Sequence, residues 1–412
     1  MAICTGCSLL CEDIEATIKD GNITAVKNLC RKGNGHYQAL KTDRTKPMID
    51  GKEVALDAAV SKAVEILKNS KNPLLCGWSN MTMEAQAAGI LLARKLGATI
   101  CDTSPTCQED LMERIMDGKI PTCTLDDVRN FADTSVFWGS DPSNSHPRHL
   151  SRFSYYPRGE KRQKSYEEER ICVTVDVRKS ATATLCSNYY FRQPPGGDAE
   201  FAEAVLAVLD GKIPKVGDKK RMIELGTLLR KTEYGVIFPG PGMLLALQGK
   251  MDLFEKLVAK LNEITKFKVL PMPEHCNTRG YYQLMREQTG FINGVSLRRD
   301  APAHGPEQRL AAAAKSCDAV LAVGSDPLAE LPLATARALT RANVPLIAID
   351  PHRSLTSDAA KVVIPSAMSG LEAGGTALRM DGVKIAFEPL IKPGKPDLLS
   401  DEQILARIME AI

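Results

Sequence analysis

The chain has 412 residues, 44% of them hydrophobic and 25% charged, with a formal net charge of +3. This length exceeds a single compact core and implies about two to four domains. The near-neutral charge argues against a dedicated nucleic-acid binder, and no apolar run approaches the ~20 residues that cross a bilayer.

The opening Met1-Ala2-Ile3-Cys4 carries neither the basic region nor the apolar stretch of a secretion signal, so a cytoplasmic protein is expected. Disulfides are not expected among its 12 cysteines, because that compartment is reducing. Four of them, Cys4, Cys7, Cys11 and Cys30, crowd into the first 30 residues. Thiolates so closely spaced need a soft metal, and four suit a [4Fe–4S] cluster. Zinc is the competitor, but the second paired knuckle of a structural zinc site is missing. The alternation around Asp20-Gly21 predicts a β-hairpin, so residues 1–50 read as a small β-rich cluster domain. Lys32, just past Cys30, could stand beside the cluster sulfurs and bridge to a second cofactor.

Beyond residue 70, apolar strands alternate with helices, which predicts α/β architecture with parallel sheets. Two stretches repeat each other. Val136-Phe137-Trp138-Gly139-Ser140-Asp141-Pro142 is followed by a strand ending in Asp176 and Arg178, with Thr182 in the next loop. Leu321-Ala322-Val323-Gly324-Ser325-Asp326-Pro327 is followed by a strand ending in Asp350, His352 and Arg353. A strand–helix–strand unit lies upstream of each copy, starting at Leu74 and at Val236. Loops at the C-terminal ends of parallel strands hold ligands in α/β proteins; glycine there admits a phosphate, and the acidic and basic residues after the next strand can read a base or ribose. Duplicated loops imply two dinucleotides, or one degenerate copy. The expected domains are 51–190 and 191–380, both dinucleotide-binding, with part of the first domain's sheet completed by 365–412, and a link and helix over 381–412.

This combination resembles the molybdopterin oxidoreductase superfamily, which includes formate dehydrogenases. Within it, Trp138 to Pro142 and His146-Pro147-Arg148-His149 are similar to the tungsten/molybdenum subunit of formylmethanofuran dehydrogenase, and Leu371-Glu372-Ala373-Gly374-Gly375-Thr376 resembles the superfamily's pterin loop. The resemblance implies a catalytic subunit reducing carbon dioxide to formate, the first step of methanogenesis from CO2. It implies a [4Fe–4S] cluster, two molybdopterin guanine dinucleotides and molybdenum or tungsten. It also implies partner subunits: a small pterin lid, an amidohydrolase-like subunit and ferredoxin-like electron-transfer subunits. A formate dehydrogenase, or a cofactor-less scaffold subunit, is the alternative.

By the same resemblance Cys107 is the metal's thiolate ligand and is preferred over Cys123, while Gln108 stands where the family typically has histidine. Arg299 is expected to hold formate near the metal, with Arg298 as its competitor. His146, Asn277, Gly280, Gly375 and Thr376 are expected to line a pterin. The charged run Arg158–Arg170 reads as a solvated insertion.

Overall fold

The computed structural model describes residues 2–104, 107–186, 189–393 and 398–412, with Cys107 by its backbone alone. The chain forms two compact units, one of Met1–Ser104 with His275–Ile412, the other of Pro105–Glu274.

The first unit opens with a three-stranded antiparallel sheet of Ala2–Cys4, Cys11–Lys19 and Asn22–Lys27. Asp20 and Gly21 turn between the last two with φ of 50° and 73°, the pair of positive values that a two-residue hairpin turn requires. The central strands of both units are wholly buried and mostly apolar: Pro73–Gly77 and Ala319–Val323 in the first, Thr134–Trp138 and Gly235–Pro239 in the second. Such strands belong inside parallel sheets covered on both faces.

The parallel strands of the first unit run in the order 99–101, 73–77, 319–323, 346–349, 362–364, with short antiparallel strands extending both edges. Those of the second run 267–269, 235–239, 134–138, 171–176, 189–192. The order is the same in both, so the duplication in the sequence is a duplication of sheets.

The copies are nevertheless exchanged relative to the expected domains 51–190 and 191–380. The upstream strands of the first copy join the downstream strands of the second, and conversely. Residues 365–412 add no strand to the first sheet: Gly375–Leu378 and Lys384–Phe387 pair only with each other, and helix Asp401–Ala411 packs on helices Leu56–Asn69 and Met83–Leu96. The physical reason is that a parallel partner is reached through a long crossover, and crossover length does not restrict which strand it reaches.

The run 158–170 is mostly exposed, as expected, but two of its arginines are anchored. Arg170 is buried and donates to the carbonyls of Val128 (3.1 Å) and Ala132 (3.2 Å), closing the C-terminal end of helix Leu125–Phe131. Arg162 donates to the carbonyl of Phe131 at 2.9 Å and pairs with Glu233 at 2.7 Å.

Candidate metal and cofactor site

Cys4 and Cys11 face each other across the first two strands, and Cys7 lies in the turn between them. Cys30 caps helix Arg31–Ala39, its sulfur accepting the Gly33 N–H at 3.4 Å. Burial drives the Cys4 and Cys7 thiols up, Cys7 to about 12, and the charges of the neighbouring cysteines add to it; Lys32 pulls Cys7 back down. Sulfurs crowded in this way ionise together only if a cation neutralises them. Among the described residues no group of three or more His, Cys, Asp or Glu is arranged to hold a single metal ion. One zinc needs all its ligands within about 2.3 Å, whereas a polynuclear cluster spaces its thiolates more widely. Cys276, missed in the sequence, is a further buried thiol near Cys7; burial first and then the Cys7 charge push it up to about 12.

The two Gly-Ser-Asp-Pro loops match atom by atom. Gly139 and Gly324 have φ of 60° and 59°, and their N–H groups donate to Val175 (2.8 Å) and Ile349 (2.9 Å) of the next strand. Asp141 Oδ1 accepts from Thr182 N (3.1 Å) and Oγ1 (2.7 Å); Asp326 Oδ1 accepts from Thr356 N (3.0 Å) and Oγ1 (2.6 Å). Burial alone would raise the Asp141 carboxyl, but the Thr182 bonds hold it below its ordinary value. Both aspartates are therefore internal ties between loops. Thr356 is not among the expected residues, although aligning the two copies singles it out opposite Thr182.

The copies then diverge. Ser140 donates to the Phe238 carbonyl at 2.7 Å, whereas the buried Ser325 hydroxyl has no partner. Ser325 opens, with Gly324, Asp326, Asp350 and His352, onto a cavity of about 300 Å³ whose far wall is Thr5, Gly6 and His36 of the cysteine domain. Thr5 gives its proton to the Ser369 carbonyl at 2.9 Å, so His36 Nε2, also 2.9 Å from Thr5 Oγ1, is the donor in that contact. His352 Nδ1 and Asp401 Oδ1 are likewise buried without partners. Burial raises Asp350 to about 8 despite the His352 N–H it accepts at 2.7 Å, and raises Asp401 to about 6. It lowers His36 and His352 to about 4, with the neighbouring His352 and Arg44 charges adding, respectively. The cavity thus presents an unpaired hydroxyl, ring nitrogen and carboxyl oxygen beside the protonated Asp350, a lining suited to a ligand with several polar edges.

The chain is 32% identical to the B-type subunit of tungsten-containing formylmethanofuran dehydrogenase 2 of Methanocaldococcus jannaschii, over 429 aligned positions spanning 100% of this chain and 97% of the relative. It is 31% identical to the subunit of the same name in Methanococcus maripaludis, over 100% and 98%. The chain belongs to this family of formylmethanofuran dehydrogenase B-type subunits. No family profile matches it. Its fold is shared with a chain of the formyltransferase/hydrolase complex of Methylorubrum extorquens, solved with methylofuran (TM-score 0.68, 23% identity, 88% of this chain and 98% of that one). It is also shared with acetylene hydratase of Pelobacter acetylenicus (TM-score 0.69, 12% identity, 100% and 68%).

Several residues expected to serve the family's chemistry have structural duties. Asn277 is fully buried; its amide donates to the Met81 carbonyl at 2.7 Å and accepts the Leu378 N–H at 2.8 Å. A Cβ on Gly280 would lie 2.1 Å from that Asn277 oxygen, which is why the position is glycine. Thr376 donates through N and Oγ1 to Glu84 (2.9 and 2.6 Å), directly after Gly375. His146 is buried with both ring nitrogens engaged, by Ser145 (2.9 Å) and the Pro273 carbonyl (3.0 Å). Asp176 accepts the Arg178 N–H, and the exposed Arg178 side chain approaches Asp141 at 3.9 Å. Arg353 leaves the cavity for a separate groove with Arg44 and Lys46 and pairs with Asp358 at 2.7 Å.

Arg299 is exposed and lies at the wrong end of its sheet for the expected role. The strand Val295–Ser296 runs antiparallel to 99–101, so the chain leaves it where the parallel strands begin. There Arg298 binds Lys71 O (2.8 Å) and Asn72 Oδ1 (2.5 Å). The opposite end is served by Asn293, another residue missed in the sequence, whose buried amide oxygen accepts the Asp102 N–H at 2.7 Å. Cys107 begins helix Cys107–Met116 and its side chain lies outside the described residues; Gln108, next to it, is buried.

Proposed function

We propose that this chain is the tungsten- or molybdenum-bearing subunit of a formylmethanofuran dehydrogenase and performs the CO2/formate half-reaction. The observation that carries this reading is the N-terminal cysteine domain: Cys4, Cys7, Cys11 and Cys30 gathered in one small domain, with burial and the neighbouring cysteine charges keeping the Cys4 and Cys7 thiols protonated without a metal, and Lys32 beside Cys7. End-to-end identity with two subunits named as tungsten-containing supports it. When bound, a metal–pterin centre and a [4Fe–4S] cluster supply two-electron exchange with carbon dioxide and one-electron delivery, respectively.

The chain's own contribution is to hold and insulate those groups. Cys4, Cys7, Cys11 and Cys30 bind the cluster, and Lys32 lies beside Cys7 on the way to the second cofactor. The cavity at Ser325, Asp350 and His352 takes the base or ribose end of one guanine dinucleotide; its protonated Asp350 carboxyl and unpaired Ser325 hydroxyl hydrogen-bond polar edges. Cys107 binds the metal. Gln108 orients substrate, since an amide carries no proton near neutral pH, and Arg299 is left out because of its place in the sheet. Partner subunits supply electrons and take up the formyl group.

A second reading, in which the chain keeps the fold without the cofactors, is favoured by Gln108 and by the fold shared with the formyltransferase/hydrolase complex chain. Elemental and nucleotide analysis of the complex, prepared without oxygen, separates the two. The first reading expects iron, tungsten or molybdenum, and acid-released guanine nucleotide. Cys7→Ser should then lose most of the iron and the visible absorbance. Cys107→Ser should lose activity by orders of magnitude while keeping iron, and Cys123→Ser should keep both. A native complex without tungsten, molybdenum or guanine nucleotide in this subunit establishes the second reading, and stoichiometric zinc in place of iron removes the cluster.

A further inference from the structure

Two cysteines far from the N-terminal group have a separate relationship. Cys172 lies on the inner strand Ile171–Asp176 and Cys186 ends the short helix Ala181–Cys186 that follows it. Both are buried, and their sulfurs are 2.8 Å apart. That separation is well inside van der Waals contact, yet longer than the ~2.0 Å of a disulfide bond. The Cys186 thiol donates to the Thr182 carbonyl at 3.1 Å, so its lone pairs face Cys172, whose S–H is the donor between the sulfurs. The same helix carries Thr182, which ties down Asp141 and with it the first Gly-Ser-Asp-Pro loop. Neither cysteine has a part in the chemistry assigned above.

We propose that Cys172 and Cys186 are a redox-modification site, converted to a disulfide by a peroxide-class oxidant, and that the bond pins the Thr182 helix to the strand ending at Asp176. In the first step one thiolate attacks the peroxide, the O–O bond breaks, water leaves and that sulfur becomes a sulfenic acid. In the second, the neighbouring sulfur displaces the hydroxyl, an S–S bond forms and a second water leaves. Two thiols are thus oxidised by two electrons and the peroxide is reduced to two waters.

Contact between the sulfurs makes the second step faster than further oxidation of the sulfenic acid, because the resolving thiol is already in place. Access is through the helix itself, six residues long with Ala181, Thr184 and Leu185 exposed, whose local opening uncovers Cys186. Burial, and then the hydrogen bond to Cys186, hold the Cys172 thiol above its ordinary value, which keeps the reduced pair unreactive until that opening occurs.

The test uses the full chain purified without oxygen, treated with hydrogen peroxide, alkylated and mapped by peptide mass spectrometry, with and without a phosphine reductant. Cys172 and Cys186 should appear in one linked peptide, two hydrogens lighter than the sum and released by the reductant. The link should vanish in Cys172→Ala and in Cys186→Ala alike, so that poor folding of one variant leaves the other informative. Amide exchange over residues 181–186 should slow by ~10-fold or more in the oxidised protein, as expected when local opening is blocked. Separate alkylation of the two cysteines after treatment, oxidation of each to sulfinic acid, or linkage to other cysteines overturns the site. A Cys172–Cys186 bond that leaves exchange over 181–186 unchanged overturns the pinning.

Discussion

Asp350 shows how a single buried group ties the cavity to solution conditions. Its carboxyl titrates near 8 when folded, against about 3.9 in an unfolded chain. The folded protein therefore holds a proton there that the unfolded chain has lost between those values. The stability this group contributes is complete below about pH 4 and declines until about pH 8. His36 and His352 work the other way: with folded values near 4 they stay neutral, and stability falls as pH drops from about 6.5 toward 4. In the cofactor-free chain, Asp350→Asn keeps an acceptor for the His352 N–H but removes the ionisation. Denaturant unfolding should show this variant gaining ~2 kcal/mol or more over the wild type between pH 4 and pH 8. A constant difference across that range would mean that Asp350 is ionised in the folded chain. The sequence gives no sign of this behaviour, since an aspartate after a strand reads the same whether its carboxyl is open or enclosed.

At the scale of elements, short polar ties hold the loops that the parallel strands present. Asn277 precedes helix Thr278–Thr289 and joins the 78–81 loop to the hairpin strand Gly375–Leu378 within the first unit. Gly280, one turn later, leaves room for that amide. Gly280→Ala should destabilise the chain by ~1–3 kcal/mol, the usual cost of overpacking, and Asn277→Ala by a similar amount through the unpaired Leu378 N–H and Met81 carbonyl. Because the atoms nearest the added methyl are all of the Asn277 side chain, the double variant should cost clearly less than the sum in thermal unfolding. Additive losses would place the Gly280 effect in the helix backbone instead. The spacing of Asn277 and Gly280 is legible in the sequence, but it reads as a ligand motif. Only the partners at 2.7 and 2.8 Å show that it is a joint.

On the scale of the whole molecule, the exchange of strands between repeats decides which fragments can fold. Pro105–Glu274 is one continuous stretch with its own five-stranded sheet and its own buried core around Trp138, Phe201 and Phe254. Expressed alone it should unfold cooperatively, with native-like circular dichroism. The sequential repeat 191–380 should not, because its strands at 235–269 and 319–364 belong to different sheets. The opposite result would return the molecule to two tandem domains. Much was determined by the sequence alone: strands and helices alternating along the chain, the Asp20-Gly21 hairpin, the duplicated Gly-Ser-Asp-Pro loops and the clustered N-terminal cysteines. Each of these is a local pattern of polarity, turn residues or spacing, carried by neighbours in the chain. Tertiary structure alone decided which sheet each strand enters, that Arg299 falls at the far end of its sheet, that Ser325 is unpaired where Ser140 is not, and that Cys172 meets Cys186. Those outcomes depend on pairing between distant segments and on the direction of a two-residue strand, and neither leaves a periodic or compositional trace in the residues themselves.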